Sequence, residues 1–373
     1  MQALNIFAGP AALQHIRTHG LLPQHVGAIA AAAGGPKGLM LLRMDRLLFG
    51  DWLKGSTQPV HLVGASIGAW RMATACLDNA LAGFELLEQG YIHGEMKPRK
   101  VGGKWRLPHP ADVSASFTRN LQACFGDKIE TVLHHPRYRL HVFTSRGRHL
   151  LGRDTLWRSV PGYLAAYATN AVHRPALGGW LERVVFSSSA AGGTQPGPLP
   201  FDASDYRTRH VALTHSNFMP AMQASGSIPF VLQGVHDIPG APRGAYWDGG
   251  LTDYHLHLRF FQGQAAPANG AAPLVLYPHF QQAVVPGWLD KQWRGRHRST
   301  SALDHMVLLA PKPEWVANLP NAKLPDRNDF KTHMHDHDGR VAIWTQAVAA
   351  SQQLADEFAQ WLQKPDPSRV QAL

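Results

Sequence analysis

The sequence predicts an α/β fold with a mostly parallel central sheet and helices on both faces. Short apolar runs (Val26 to Ala32, Val60 to Val63, Leu140 to Thr144, Val184 to Ser187 and Val211 to Thr214) alternate with helical stretches up to about Leu258. Two of these runs end in a glycine turn that opens directly into helix-forming residues. A chain of 373 residues, 45% hydrophobic, is long enough to bury the large core such a sheet needs.

The opening Met1 to Pro10 has neither a basic start nor a long apolar run, so a secretory signal is not expected. The run ending at Ala33 meets the turn Gly34-Gly35-Pro36-Lys37-Gly38, after which Leu39 to Leu42 begins a helix. Val60 to Val63 meets Gly64-Ala65-Ser66-Ile67-Gly68, followed by the good helix formers of Ala69 to Leu77. Leu81 to Gly94 and Ser114 to Cys124 read as cover helices, and basic Lys97 to Arg106 reads as an exposed loop. Gly263 to Pro273 has the composition of a surface loop, and Leu274 to Tyr277 that of a short strand. From Val341 to Leu362, residues Ile343, Trp344, Ala347, Ala350, Leu354, Phe358 and Trp361 recur at helical spacing and mark a packing face. Pro365 and Pro367 suggest a loose tail after Lys364. No internal repeat is visible.

Ser66 carries the chemistry. A serine hydroxyl is a weak nucleophile at neutral pH, so it must be held on a sharp strand-to-helix turn where a base reaches it. Gly64 and Gly68 flank it because that turn leaves no room for a Cβ on either side. Acyl transfer builds an oxyanion, which unblocked glycine amides stabilise by roughly 3 kcal/mol per donor. Pro36 has no N–H, so Gly34, Gly35, Lys37 or Gly38 must supply them, with Lys37 adding positive potential or simply capping the turn. A phosphate loop is excluded by spacing, and a dinucleotide fingerprint fails too. Downstream, Ala245-Tyr246-Trp247-Asp248-Gly249-Gly250 places a carboxylate before a Gly-Gly turn. Asp-Gly is also an ordinary hairpin signal, but the segment Ala224-Ser225-Gly226-Ser227-Ile228-Pro229-Phe230 leads toward this one.

The three blocks in this order resemble the patatin-like phospholipases. That resemblance implies a three-layer α/β/α fold, hydrolysis of lipid acyl esters and a Ser/Asp dyad in place of a triad. It makes Ser66 the nucleophile, Asp248 the base and Gly34 to Gly38 the oxyanion turn, with Lys37 at the family's basic position. The match covers about residues 22–260 of a single domain, leaving 261–373 as a C-terminal extension. Ala33 replaces the first of three glycines, and Thr252-Asp253-Tyr254-His255 replaces the usual Asn-Pro step. Substrates of the same chemistry include lysophospholipids, thioesters, simple carboxylic esters and intracellular polyesters.

Two other readings stay open. Twenty-two histidines offer a third member for a Ser-His-Asp triad, with His255, His257 and His279 in suitable order. A catalytically silent lipid-binding protein would keep the same scaffold. No metal or cofactor is expected: His333-Met334-His335-Asp336-His337-Asp338 lacks a completing ligand pattern. The net charge of +10 suits an anionic surface. It concentrates near Trp288, Trp293, Arg294, Arg296 and Arg298, where indoles and guanidiniums suit the headgroup zone of an anionic membrane, although a solvated basic loop has the same composition. No ribonucleoprotein motif or recognised nucleic-acid module is present, so nucleic acid is not an expected partner. Cys76 and Cys124 form no redox or metal spacing, and a reducing cytoplasm is expected, peripheral to the membrane's inner face if the basic loop binds there.

Overall fold

Strands buried on both sides read as unbroken apolar runs, and the centre of the molecule is built from such strands. The computed structural model describes residues 1–189, 193, 195–261 and 273–373. In chain order the strands are β1 (Leu4–Ala8), β2 (Val26–Ala31), β3 (Val60–Ala65), β4 (Arg99–Val101), β5 (Lys104–Arg106), β6 (Tyr138–Gly147), β7 (Leu181–Ser187), β8 (Thr208–Ala212), β9 (Val235–His236), β10 (Ala245–Asp248), β11 (Leu274–Pro278), β12 (Met306–Pro311) and β13 (Val370–Ala372). Eleven of them form one sheet in the order β13-β1-β12-β11-β2-β3-β6-β10-β9, with β7 also paired to β6 and β8 paired to β7. From β12 through β11, β2 and β3 to β6 every neighbour is parallel, while β1, β7, β9 and β10 add antiparallel pairs at the margins.

The two-residue period of a strand sorts side chains onto two faces. Ile29, Leu62, Leu140, Leu276 and Leu309 enter one core, and Ala30, Val63, Phe143, Tyr277 and Leu308 the other. Helices α1 (Pro10–His19), α2 (Leu42–Gly50), α3 (Ile67–Ala75), α4 (Ala80–Ile92), α5 (Pro110–Phe125), α7 (His215–Ser225), α8 (His337–Ala350) and α9 (Gln352–Gln363) bury apolar residues in the first. Helix α6 (Leu156–Val172) packs on the second face, beside irregular chain around Leu256–Phe261 and Phe280–Val285. The α/β class and the largely parallel sheet match the expectation, but the layers are uneven.

Four details differ locally. The predicted helix over Val341–Leu362 is two helices, because Ser351 turns its hydroxyl onto the Val348 carbonyl (2.7 Å) and breaks the run. The tail is not loose: β13 adds to β1 in parallel, and Trp361 Nε1 donates to the Asp366 carbonyl at 3.1 Å. The expected loop over Lys97–Arg106 is an exposed β4–β5 hairpin. A tight 3-10 segment, Gly35–Leu41, precedes α2. The loop expected over Gly263–Pro273 lies, but for Pro273, outside the described residues. Among the described residues no helix is long and apolar enough to cross a membrane.

Candidate active site

Ser66 stands between β3 and α3 at φ +56° and ψ −127°, a conformation that L residues rarely adopt. The flanking glycines are steric necessities. A Cβ on Gly64 would lie 2.5 Å from the Ala69 nitrogen, and one on Gly68 would lie 1.9 Å from the Ala31 carbonyl oxygen. The second contact also brings the elbow against the end of β2, where the Gly34–Gly38 turn begins. Ser225 fastens the elbow from outside: its hydroxyl accepts the Ser66 N–H at 2.9 Å and donates to the Phe143 carbonyl at 2.8 Å.

Asp248 ends β10 with its carboxylate facing this serine. Ser66 Oγ donates to Asp248 Oδ2 at 2.8 Å, and the Gly250 N–H donates to Oδ1 at 2.7 Å. Its backbone is held at both ends, the N–H by the Ser227 carbonyl (2.9 Å) and the carbonyl by the Ser145 hydroxyl (2.9 Å). Only 5% of Ser66 and 5% of Asp248 is exposed. Burial raises the Asp248 carboxyl above the ordinary carboxylate range, and the Arg327 guanidinium, the Ser66 hydroxyl, the Gly250 amide and Lys291 offset part of that. A raised carboxyl is a stronger base, which suits proton abstraction from an alcohol. The adjacent Trp247 points the other way, into a cleft of about 530 Å³ shared with Leu156, Ser159 and Phe230.

The glycine turn closes the third side. Gly35 sits at φ +57°, and no protein acceptor takes the Gly34 or Gly35 N–H among the described residues. A Cβ on Gly250 would lie 2.6 Å from the Ala33 Cβ, so the turn abuts the loop that follows Asp248. Ala33 spends its N–H on the Tyr254 carbonyl at 3.0 Å and so is not a free donor at this turn. Gly38 is required by packing, since its Cβ would meet Ile67 at 2.8 Å. Lys37 extends to the Phe280 ring (5.2 Å), and burial is the main cause lowering its ammonium.

Two further cations converge here. Arg327 Nε would lie 3.1 Å from a Cβ on Gly35, with the Tyr91 hydroxyl 3.5 Å away. Lys291 is exposed as a residue, but its Nζ sits 4.0 Å over the Tyr254 ring; desolvation, then Arg327 and Lys37, bring it down to about 7. None of Lys37, Lys291 and Arg327 has an ion-pair partner among the described residues. Sequence reasoning missed Arg327 altogether, because it comes from a loop of the C-terminal extension with no local signal. Ser225 had one, its place in the Ala-Ser-Gly-Ser segment.

The histidines proposed for a triad lie elsewhere. His255 Nδ1 accepts the Val285 N–H, His279 Nδ1 pairs with the Gln281 carbonyl and His257 Nε2 with the Thr300 hydroxyl. Burial holds all three neutral, His257 at about 4 and His279 at about 3. Among the described residues no histidine bonds Ser66 or Asp248. Histidines 333, 335 and 337 diverge onto Asp336, Trp105 and Arg340, and no group of three ligand-type side chains is placed for a metal among the described residues. Trp288, Trp293, Arg294 and Arg298 are exposed, whereas Arg296 is tied to Asp290 and the Ala171 carbonyl. Compared with known proteins, the chain matches no family model and no curated protein.

Proposed function

We propose that the chain is a serine acyl hydrolase of the patatin-like type, acting on lipid esters through Ser66 and Asp248. The observation that carries this reading is the 2.8 Å Ser66–Asp248 hydrogen bond at a strained elbow, beside two unclaimed glycine amides. Asp248 takes the Ser66 proton as Oγ attacks the ester carbonyl carbon, and the Gly34 and Gly35 amides hold the resulting oxyanion. Collapse breaks the ester C–O bond, and Asp248 returns the proton to the departing alcohol. Water, deprotonated by Asp248, then cleaves the acyl-enzyme and releases the carboxylic acid and free Ser66.

Lys37, Lys291 and Arg327 support a substrate whose ester lies near a phosphate or carboxylate, as in a glycerophospholipid or lysophospholipid. Unpaired cations beside a buried base favour an anionic group there. Free, buried Cys76 and Cys124 fit a reducing cytoplasm. The test is steady-state hydrolysis of fatty acyl esters and lysophospholipids across a series of chain lengths. Ser66→Ala and Asp248→Asn are each expected to lower kcat by at least about 1,000-fold. Undiminished turnover in either variant contradicts the reading.

A further inference from the structure

Helix α6 presents to solvent a face that the interior does not use. Leu156 (74% exposed), Trp157 (72%), Val160, Leu164 (66%), Tyr167 and Val172 (87%) all face outward. No acidic residue occurs from Leu156 to Val172, and the sole basic one, Arg158, folds back onto the Leu150 and His149 carbonyls. A soluble surface rarely leaves so many large apolar side chains together without a partner.

The tryptophan-arginine segment after Gly287 is fastened to the same helix. Buried Asp290 accepts from Asn170 Nδ2 (2.8 Å), Arg174 Nη1 (2.8 Å) and Arg296 Nη1 (2.7 Å), and Arg296 also reaches the Ala171 carbonyl at 3.0 Å. The Trp293 ring lies 6.3 Å from that of Tyr167. Trp288 and Trp293 therefore extend the apolar face, and Arg294 and Arg298 rim it with no ion-pair partner among the described residues. The inner side of α6 leads to the dyad: Tyr163 packs on Trp247, next to Asp248, and on half-exposed Phe230.

We propose that α6 and the Trp288–Arg298 segment dock the protein on a bilayer containing anionic lipids. The apolar side chains and indoles enter the boundary between headgroups and acyl chains, while Arg294 and Arg298 pair with lipid phosphates. Charge favours lipid over a second copy of this chain. A self-paired interface would gather four unpaired arginines with no carboxylate on α6 to meet them. Docking goes beyond the hydrolase reading and holds whether or not Ser66 turns over esters.

The test is co-sedimentation of the full chain with phosphatidylcholine vesicles, with and without phosphatidylglycerol, at low and high salt. Wild type is expected to prefer the anionic vesicles and to lose that preference as salt rises. Combined Arg294→Ala and Arg298→Ala should weaken anionic binding roughly 25-fold, two charges at about 1 kcal/mol each. Combined Trp157→Asp and Leu164→Asp should abolish sedimentation with both vesicles. Far-ultraviolet circular dichroism and the thermal midpoint of every variant should match wild type, separating lost docking from lost fold, and hydrolysis of a short soluble ester reports the dyad separately. Equal binding to neutral and anionic vesicles, binding undiminished in the α6 variant, or a wild-type dimer made monomeric by that variant overturns the proposal.

Discussion

Two buried aspartates near the end of β10 meet opposite fates. Asp253 is clamped by Arg183, which gives it Nε at 2.8 Å and Nη2 at 2.6 Å while also holding Asp205. Asp248 receives one hydroxyl and one amide, with Arg327 and Lys291 acting only from a distance. A bidentate guanidinium occupies both oxygens of a carboxylate and makes it a structural tie. Without one, burial leaves Asp248 eager for a proton. Asp253 is thus a second carboxylate whose two oxygens Arg183 occupies, not a competitor for Ser66.

The contrast is broken most severely by exchanging the two losses. Asp248→Asn should cost at least about 1,000-fold in kcat yet leave thermal stability at neutral pH no lower than wild type. The sign follows from the raised carboxyl: its folded form binds a proton more tightly than the unfolded form, so its stabilising share is present at low pH and lost as pH rises through the folded value. Removing a charge that burial disfavours therefore costs no stability at pH 7. Asp253→Asn should do the reverse, destabilising by ~3 kcal/mol in chemical denaturation because Arg183 keeps only Asp205, with the serine still reactive.

Smaller effects sharpen the comparison. Ser225→Ala strands the Ser66 N–H and loosens the elbow, and should lower kcat about tenfold with KM little changed. The acid limb of kcat/KM should turn over above the ordinary carboxylate range, since protonated Asp248 cannot accept from Ser66. His255→Gln, His257→Gln and His279→Gln, each replacing a ring bonded to other partners, should retain most turnover.

How far the sequence was legible follows the same division between local and distant causes. The elbow and the Gly34–Gly38 turn are written in glycines because a Cβ would collide with backbone at Gly64 and Gly68 and with the Phe280 and Ile67 side chains at Gly34 and Gly38, a constraint visible in a few adjacent letters. The parallel centre was legible too, since strands buried on both faces must be apolar. Strands β1, β12 and β13 escaped because their pairing joins Ile6 to Val370 and Leu309, across nearly the whole chain. Arg327 escaped for that reason also. The outward stripe of α6 escaped because apolar letters at helical spacing look the same facing water as facing a core; only packing tells them apart.

The most direct measurement of the central claim is labelling by a fluorophosphonate, followed by peptide mass spectrometry. A single adduct is predicted on Ser66, absent in Ser66→Ala, strongly slowed in Asp248→Asn and preserved in the three histidine variants. An adduct on another serine, or labelling that survives Asp248→Asn but fails when one histidine is replaced, would contradict the Ser66–Asp248 relay.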